Sequence, residues 1–151
     1  MQSGLKEQLI KHLQRKIRCR LDELNESVNS AKASRDNETK SSVGDKYETS
    51  REMINFEIEK FSVQLSKTTK LFIELDKINL QKAYDCVEFG SLVFTNYGNY
   101  FISIGIGKIE IKNESFFCIS LASPIGKTLH HKNVGEKINF QGKEITIMEI
   151  R

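Results

Sequence analysis

Ile54, Ile58, Phe61, Leu65, Thr68, Phe72 and Leu75 follow one another at alternating steps of four and three residues. That is the a/d seam of a coiled coil, weakened only at Thr68. Upstream, Ile10, Ile17, Leu24 and Ala31 recur every seven residues, and Leu13, Leu21 and Val28 fill neighbouring positions of the same face. Both segments are predicted to be long helices. An apolar stripe left in water is unstable, and the nearest partner for each stripe is the other, so an antiparallel hairpin is expected. Setting Ile17 opposite Thr68 or Phe72, and Leu24 opposite Phe61 or Leu65, puts the reversal near Val43. The polar stretch from Ser34 to Gly44 lies at that end, and Gly44 suits a backbone reversal. Helices of about 30 to 35 residues, at about 1.5 Å per residue, give an arm of roughly 45–50 Å.

After Asp85 the apolar period changes to two. Val87, Phe89, Leu92 and Phe94 lead through the turn signal Asn96-Tyr97-Gly98-Asn99 to Tyr100-Phe101-Ile102-Ser103-Ile104, a predicted β-hairpin. Further strands are expected over 116–121, 137–140 and 144–150, the last two joined at Gln141-Gly142. Ile106-Gly107-Lys108-Ile109 lacks the upstream glycine and the Ser/Thr of a phosphate loop, and reads as a strand bend. Ser123-Pro124 has the form of an N-cap followed by proline at the first helical position, opening a short helix that ends near His130. The expected class is α+β: an N-terminal antiparallel coiled-coil hairpin over 1–84, with its tip near 35–48, then a small antiparallel β domain with one short helix over 85–151. Glycine usage marks the same boundary, since Ser3 to Tyr84 contains only Gly4 and Gly44 and no proline.

Composition narrows the function. A chain of 151 residues holds one small globular domain plus an extension, not two enzyme cores. The net charge of +3 is too weak for a bulk positive field to drive nucleic-acid binding. Cys19, Cys86 and Cys118 are far apart and odd in number, which argues against a disulfide framework or zinc knuckle. No apolar run approaches the length that spans a bilayer and no leader-like segment opens the chain, so a soluble, cytoplasmic protein with no membrane partner is expected.

Gly44-Asp45-Lys46-Tyr47-Glu48 is the segment with candidate chemistry. Asp45 and Glu48 place two carboxylates at the expected hairpin end, where they could be delivered to another protein's active site. The same spacing also fits a capping box, in which Asp45 caps the second helix and Glu48 bonds back. Asp36 and Glu38 are rival tip acids. Lys6, Lys11, Arg15, Lys16, Arg18 and Arg20 crowd the first helix. They read as a solvated face partly paired with Glu57, Glu59, Glu74 and Asp76, or as a contact with a partner. On a helix His130 and His131 would point about 100° apart, with no cysteine or acid at metal-ligand spacing. Phe116, Phe117, Tyr97 and Tyr100 could face a partner, although aromatics at period two in a small sheet are usually core. No Ser-His-Asp, Cys-His or paired deep carboxylate constellation is visible.

A hairpin, a Gly-Asp-x-x-Glu at its tip, and Ser123-Pro124-Ile125-Gly126-Lys127 followed by Val134-Gly135-Glu136 together resemble the bacterial Gre family of transcript-cleavage factors, GreA and GreB. The family's tip reads Gly-Asp-x-x-Glu-Asn-Ala-Glu-Tyr; Gly44, Asp45 and Glu48 match it, and Thr49-Ser50-Arg51-Glu52 stand where Asn-Ala-Glu-Tyr would follow. Its C-terminal signature, approximately Ser-Pro-Ile-Gly-x-x-Leu-x-x-Lys-x-x-Gly-Asp, is matched by Ser123, Pro124, Ile125, Gly126, Leu129, Lys132 and Gly135, with Glu136 replacing Asp. The resemblance implies an FKBP-like C-terminal domain that docks at the outer rim of the RNA polymerase secondary channel, with Ser123, Pro124, Ile125, Gly126 and Leu129 as partner-binding residues. It also implies a coiled coil inserted into that channel. Asp45 and Glu48 would then support a Mg²⁺ ion shared with the polymerase active site, and promote cleavage at the 3′ end of backtracked nascent RNA.

On this reading the protein is a monomer, not an enzyme by itself, with no cofactor of its own and no stable metal in the isolated chain. The alternative is a Gre-like regulator that occupies the channel without stimulating cleavage. A peptidyl-prolyl isomerase is disfavoured: such sites need an aromatic-lined pocket, and fold analogy carries no activity.

Overall fold

The computed structural model describes residues 3–41 and 45–151, with the side chains of 4–37 and 48–151. Helices α1 (Ser3–Ser41) and α2 (Asp45–Asp76) come first. Six strands follow: β1 (Leu92–Thr95), β2 (Gly98–Ile102), β3 (Gly107–Ile111), β4 (Glu114–Ile119), β5 (Lys137–Phe140) and β6 (Lys143–Ile150), with the short helix α3 (Pro124–Leu129) between β4 and β5. The class is α+β. The residues group into two compact units, Gln14–Phe72 and a second made of the start of α1 through Leu13 together with Ile73–Arg151.

Within Gln14–Phe72 the helices run antiparallel. Arg18 lies over the Phe72 ring at 5.5 Å, Arg20 donates to Gln64 at 3.3 Å and Arg35 donates to Asn55 at 3.2 Å, so numbers rise on one helix as they fall on the other. Ile17, Leu24 and Ala31 are buried on α1, and every seam position of α2 from Ile54 to Phe72 is half-buried. Thr68, the weak point of the seam, donates its hydroxyl to the Gln64 carbonyl one turn back at 2.8 Å, which satisfies the polar group locally. The polar stretch after Ser34 is helical as far as Ser41. Gly44, expected at the reversal, lies outside the described residues.

The sheet has the order β3-β4-β2-β1-β6-β5. The hairpins β1–β2 and β5–β6 fall where the sequence puts them, and Gln141 and Gly142 both take positive φ, 50° and 78°, as a two-residue type I′ turn requires. An all-antiparallel domain is corrected in one place. β4 lies parallel to β2, Tyr100 opposite Phe117, with β3 outside it. β3 occupies the segment expected to be a strand bend. Lys112 and Asn113, at φ 51° and 66°, turn β3 back into β4, so a second tight hairpin inserts β4 between β3 and β2. The expected first strand is also shortened at its start. Ser91 N–H donates to the Glu88 carbonyl at 3.1 Å, and Gly90 takes φ +92° where a Cβ would collide with the Tyr84 hydroxyl.

Two layers of apolar side chains close this unit. On one sheet face Val87, Val93, Ile102, Ile138, Ile145 and Ile147 surround Leu129 of α3, with Ile125 at the margin. On the other, Leu92, Phe101, Cys118, Phe116 and Ile109 line up across β1, β2, β4 and β3 and are all buried. Leu9, Leu13, Leu75 and Ile78, from the α1 start and the α2 end, are buried in the same unit and are the apolar groups available to cover that face. No helix among the described residues is long and apolar enough to cross a membrane.

Candidate functional site

α2 begins at Asp45, so the Asp-x-x-Glu pair occupies its first turn. The antiparallel register sets that turn at the end of the helical pair opposite the level of Arg18 and Phe72. Glu48 is exposed. The side chain of Asp45 lies outside the described residues, as does that of Glu38, so the capping geometry does too. A helix N-terminus favours carboxylates through its unpaired N–H groups and dipole, so ionised acids are at home in this turn. Asp36 sits inside α1, exposed, with its carboxylate 3.7 Å from the Arg35 guanidinium.

The second candidate segment is differently employed. Ser123, in extended backbone at φ −68° and ψ 155°, accepts the Gly126 N–H at 3.1 Å and donates to the Ser120 carbonyl at 2.7 Å, and Pro124 takes the first helical position. A Cβ on Gly126 would collide with the Ser120 main-chain oxygen and crowd Ser123 Oγ at 2.9 Å. Leu129 is fully buried. Of the five residues assigned to partner binding, Ser123, Gly126 and Leu129 are therefore committed to folding α3, Ile125 is half-buried against the core, and Pro124 is exposed.

Of the six basic residues of α1, Lys11, Arg15, Lys16, Arg18 and Arg20 are exposed, as a solvated face requires, and Lys6 departs from it. Lys11 pairs with Glu7 at 2.8 Å and Arg20 with Glu23 at 3.5 Å, both within α1, while Lys6 is buried. Its ammonium donates to the Arg151 main-chain oxygen at 2.9 Å and lies 4.4 Å from the Tyr84 ring, beside a cavity of about 330 Å³ that Lys82, Tyr84 and Glu149 also line. Burial pushes the Lys6 pKa down from 10.5 to about 8. Across that cavity the Arg151 guanidinium holds Glu149 below the usual carboxylate range, and the hydrogen bond from Lys82 does the same for Glu88. The helical spacing of Leu5 and Leu9 beside Lys6 was the sequence signal for this burial, since Lys6 stands one turn before buried Leu9 and Ile10.

His130 and His131 do not point apart. His130 caps α3 with its N–H on the Gly126 carbonyl, and His131 follows at φ 66°, which stacks the two rings 3.6 Å apart. Among the described residues no three His, Cys, Asp or Glu side chains are gathered to hold a metal. Phe116 is core and Phe117, its neighbour on the other sheet face, is partly exposed beside Tyr100 at 5.7 Å.

Compared with protein-family models, with curated proteins and with solved structures, the chain matches none.

Proposed function

We infer that the protein is a Gre-type transcription elongation factor. In this reading its helical pair enters the secondary channel of RNA polymerase and stimulates the polymerase's own cleavage of backtracked RNA. The observation that carries it is the exposed Glu48 in the first turn of α2, at one end of an antiparallel helical pair, in a chain whose other unit is built around Ser123-Pro124-Ile125-Gly126. The mixed sheet with one short helix on a face supports an FKBP-like identity for that unit.

The donor set suits the chemistry. Asp45 and Glu48 offer hard oxygen ligands of the kind Mg²⁺ takes, and two carboxylates are too few to hold the ion without further ligands from a partner. Mg²⁺ in the polymerase would neutralise charge on the phosphoryl oxygens. The part left to this chain is to add carboxylate oxygens there and to accept a hydrogen bond from the attacking water, orienting it.

Asp45→Asn and Glu48→Gln are expected to abolish most of the cleavage stimulation while leaving polymerase affinity nearly unchanged. An effect seen instead only with Asp36→Asn and Glu38→Gln would move the site onto α1. A second reading is favoured by one departure: Arg51 stands where the Gre tip pattern has a glutamate, one turn beyond Glu48 and beside Glu52. A cation there would oppose metal recruitment and suit a regulator that only occupies the channel. RNA cleavage in stalled, backtracked complexes, measured with and without the protein at saturating occupancy, separates the two. Binding without faster cleavage selects the regulator, and no binding removes both.

A further inference from the structure

Pairing with α1 uses one face of α2 and leaves another apolar strip in water. At about 100° per residue, Phe56 and Val63 lie about 180° round the helix from the seam of Ile54, Ile58, Phe61 and Leu65. Met53 is 67% exposed, Phe56 69% and Val63 49%. Two hollows adjoin them, one between Met53 and Phe56 and the next between Phe56 and Val63, with Lys60 on the wall of both. Single exposed apolar residues are ordinary, but three along one helix face with hollows between them form a strip on which another surface can dock.

The charges on the strip say what covers it. Glu52, Glu57 and Glu59 fill its N-terminal half, and Lys60, Lys67 and Lys70 its C-terminal half. We propose that this face is the interface of a homodimer in which the α2 helices of two copies lie antiparallel. A two-fold axis passing between Glu59 and Lys60 sets Phe56 opposite Val63 of the second copy. The same axis sets Glu52 opposite its Lys67 and Glu59 opposite its Lys60. The interface is then self-complementary, as two-fold symmetry demands. A parallel pair would set acids against acids and lysines against lysines, so the polarity of the charge fixes the orientation. Three apolar side chains fall well short of the roughly 800 Å² per partner that stable complexes bury, so the dimer forms at high protein concentration and is loosened by salt. This inference departs from the expectation of a monomer and does not depend on the Gre reading; on that reading the two copies must part before the helical pair enters the channel.

Sedimentation of the full chain from micromolar to millimolar concentration tests it. The mass is expected to rise from 17.3 kDa toward twice that value. Phe56→Ser should abolish the rise with an unchanged helical circular-dichroism spectrum, because the side chain is exposed. Glu52→Lys should weaken the dimer about fivefold by opposing like charges at two symmetric places, and Glu52→Lys combined with Lys67→Glu should restore it. A mass that stays at 17.3 kDa throughout overturns the proposal. A dimer that survives Phe56→Ser, or a double charge exchange that fails to recover association, overturns it equally.

Discussion

The two segments that carry the Gre-like letters, Asp45–Glu48 and Ser123–Leu129, stand in opposite relation to the fold. In the second, nearly every letter has a structural duty. Ser123 caps, Pro124 starts the helix, Gly126 makes room for the Ser120 carbonyl and Leu129 fills the core. In the first, Glu48 points into water and no packing depends on it. A short motif can thus be held in place by packing alone or left over for chemistry, and only the structure tells which. Variants in the two segments should therefore separate cleanly, with loss of stability in one and loss of activity in the other.

The largest effect is expected at Gly126. Its added methyl group would have to displace backbone, not a flexible side-chain end, so Gly126→Ala should destabilise the β unit by roughly 4 kcal/mol or more, the range reserved for a site that cannot relax. Thermal or urea denaturation followed by near-ultraviolet circular dichroism reads it directly. A loss under about 1 kcal/mol would mean that the α3 turn is not packed as described. Ser123→Ala comes next. It removes the acceptor for the Gly126 N–H and the donor to Ser120, and should cost about 1.5 kcal/mol. Ser123→Asp, which keeps an acceptor, should recover part of that loss. Failure of the aspartate to recover any of it would shift the importance of Ser123 from the cap to its bond with Ser120.

How much of this was legible beforehand follows the physics of each signal. The helical seam was readable because burial on a helix repeats at a fixed interval, and each seam position from Ile54 to Phe72 is half-buried, Thr68 included. The α3 cap was readable because Ser-Pro states both the acceptor and the fixed φ of a first turn. The parallel β2–β4 pairing was not, because local alternation is the same for either direction of a neighbour, and placement of β4 depends on partners such as Asn99 and Phe116, far apart along the chain. β3 carries its own signal in the sequence: Lys108 and Glu110 alternate with Ile109 and Ile111, and Lys-Asn then makes the turn. Of the candidate site, the spacing of Asp45 and Glu48 was visible in sequence, but exposure was not, since a carboxylate at a helix start reads alike whether it caps or waits for a ligand. The strip of Met53, Phe56 and Val63 was hidden for a similar reason. A helix with one strong stripe draws attention away from a weaker one on its far side.

Lys6 is a third case, a charge that the fold buries at a cost. Its pKa is lowered to about 8 in the folded protein from 10.5, so between those values the unfolded chain binds the additional proton and stability rises with pH. Lys6→Met should therefore stabilise at pH 7 by about 1 kcal/mol. That is less than the full shift implies, because the amine borders an open cavity that water enters. It should also flatten the rise in stability seen for the parent between pH 8 and 9.5. The comparison is made in a Cys86→Ser parent and stopped at 9.5, because burial raises the Cys86 thiol above 9.0 and the Tyr84 hydroxyl above 10, and each lowers stability with rising pH as the unfolded chain ionises first. A parent whose stability is level or falling across that window would contradict the burial of Lys6 as a charged group.

The smallest expected change in stability is the one that matters most for the comparison. Glu48→Gln alters an exposed side chain in the first turn of a helix, where the favourable interaction of a carboxylate with the N-terminus is worth about 0.5 kcal/mol and is screened by salt. The melting curve should therefore shift by no more than that, and the shift should vanish at high ionic strength. If Glu48 instead completes a capping box with Asp45, glutamine keeps the acceptor and the melting curve is again nearly unmoved, whereas Glu48→Ala removes the bond and should cost about 1 kcal/mol. Melting curves of the two variants at low and high salt thus distinguish a carboxylate engaged by its own helix from one left free. A salt-insensitive loss above about 1 kcal/mol for Glu48→Ala would place this segment with Ser123–Leu129, among residues held by the fold. The contrast between the two motifs would then be lost, and with it the support for a carboxylate presented to a partner.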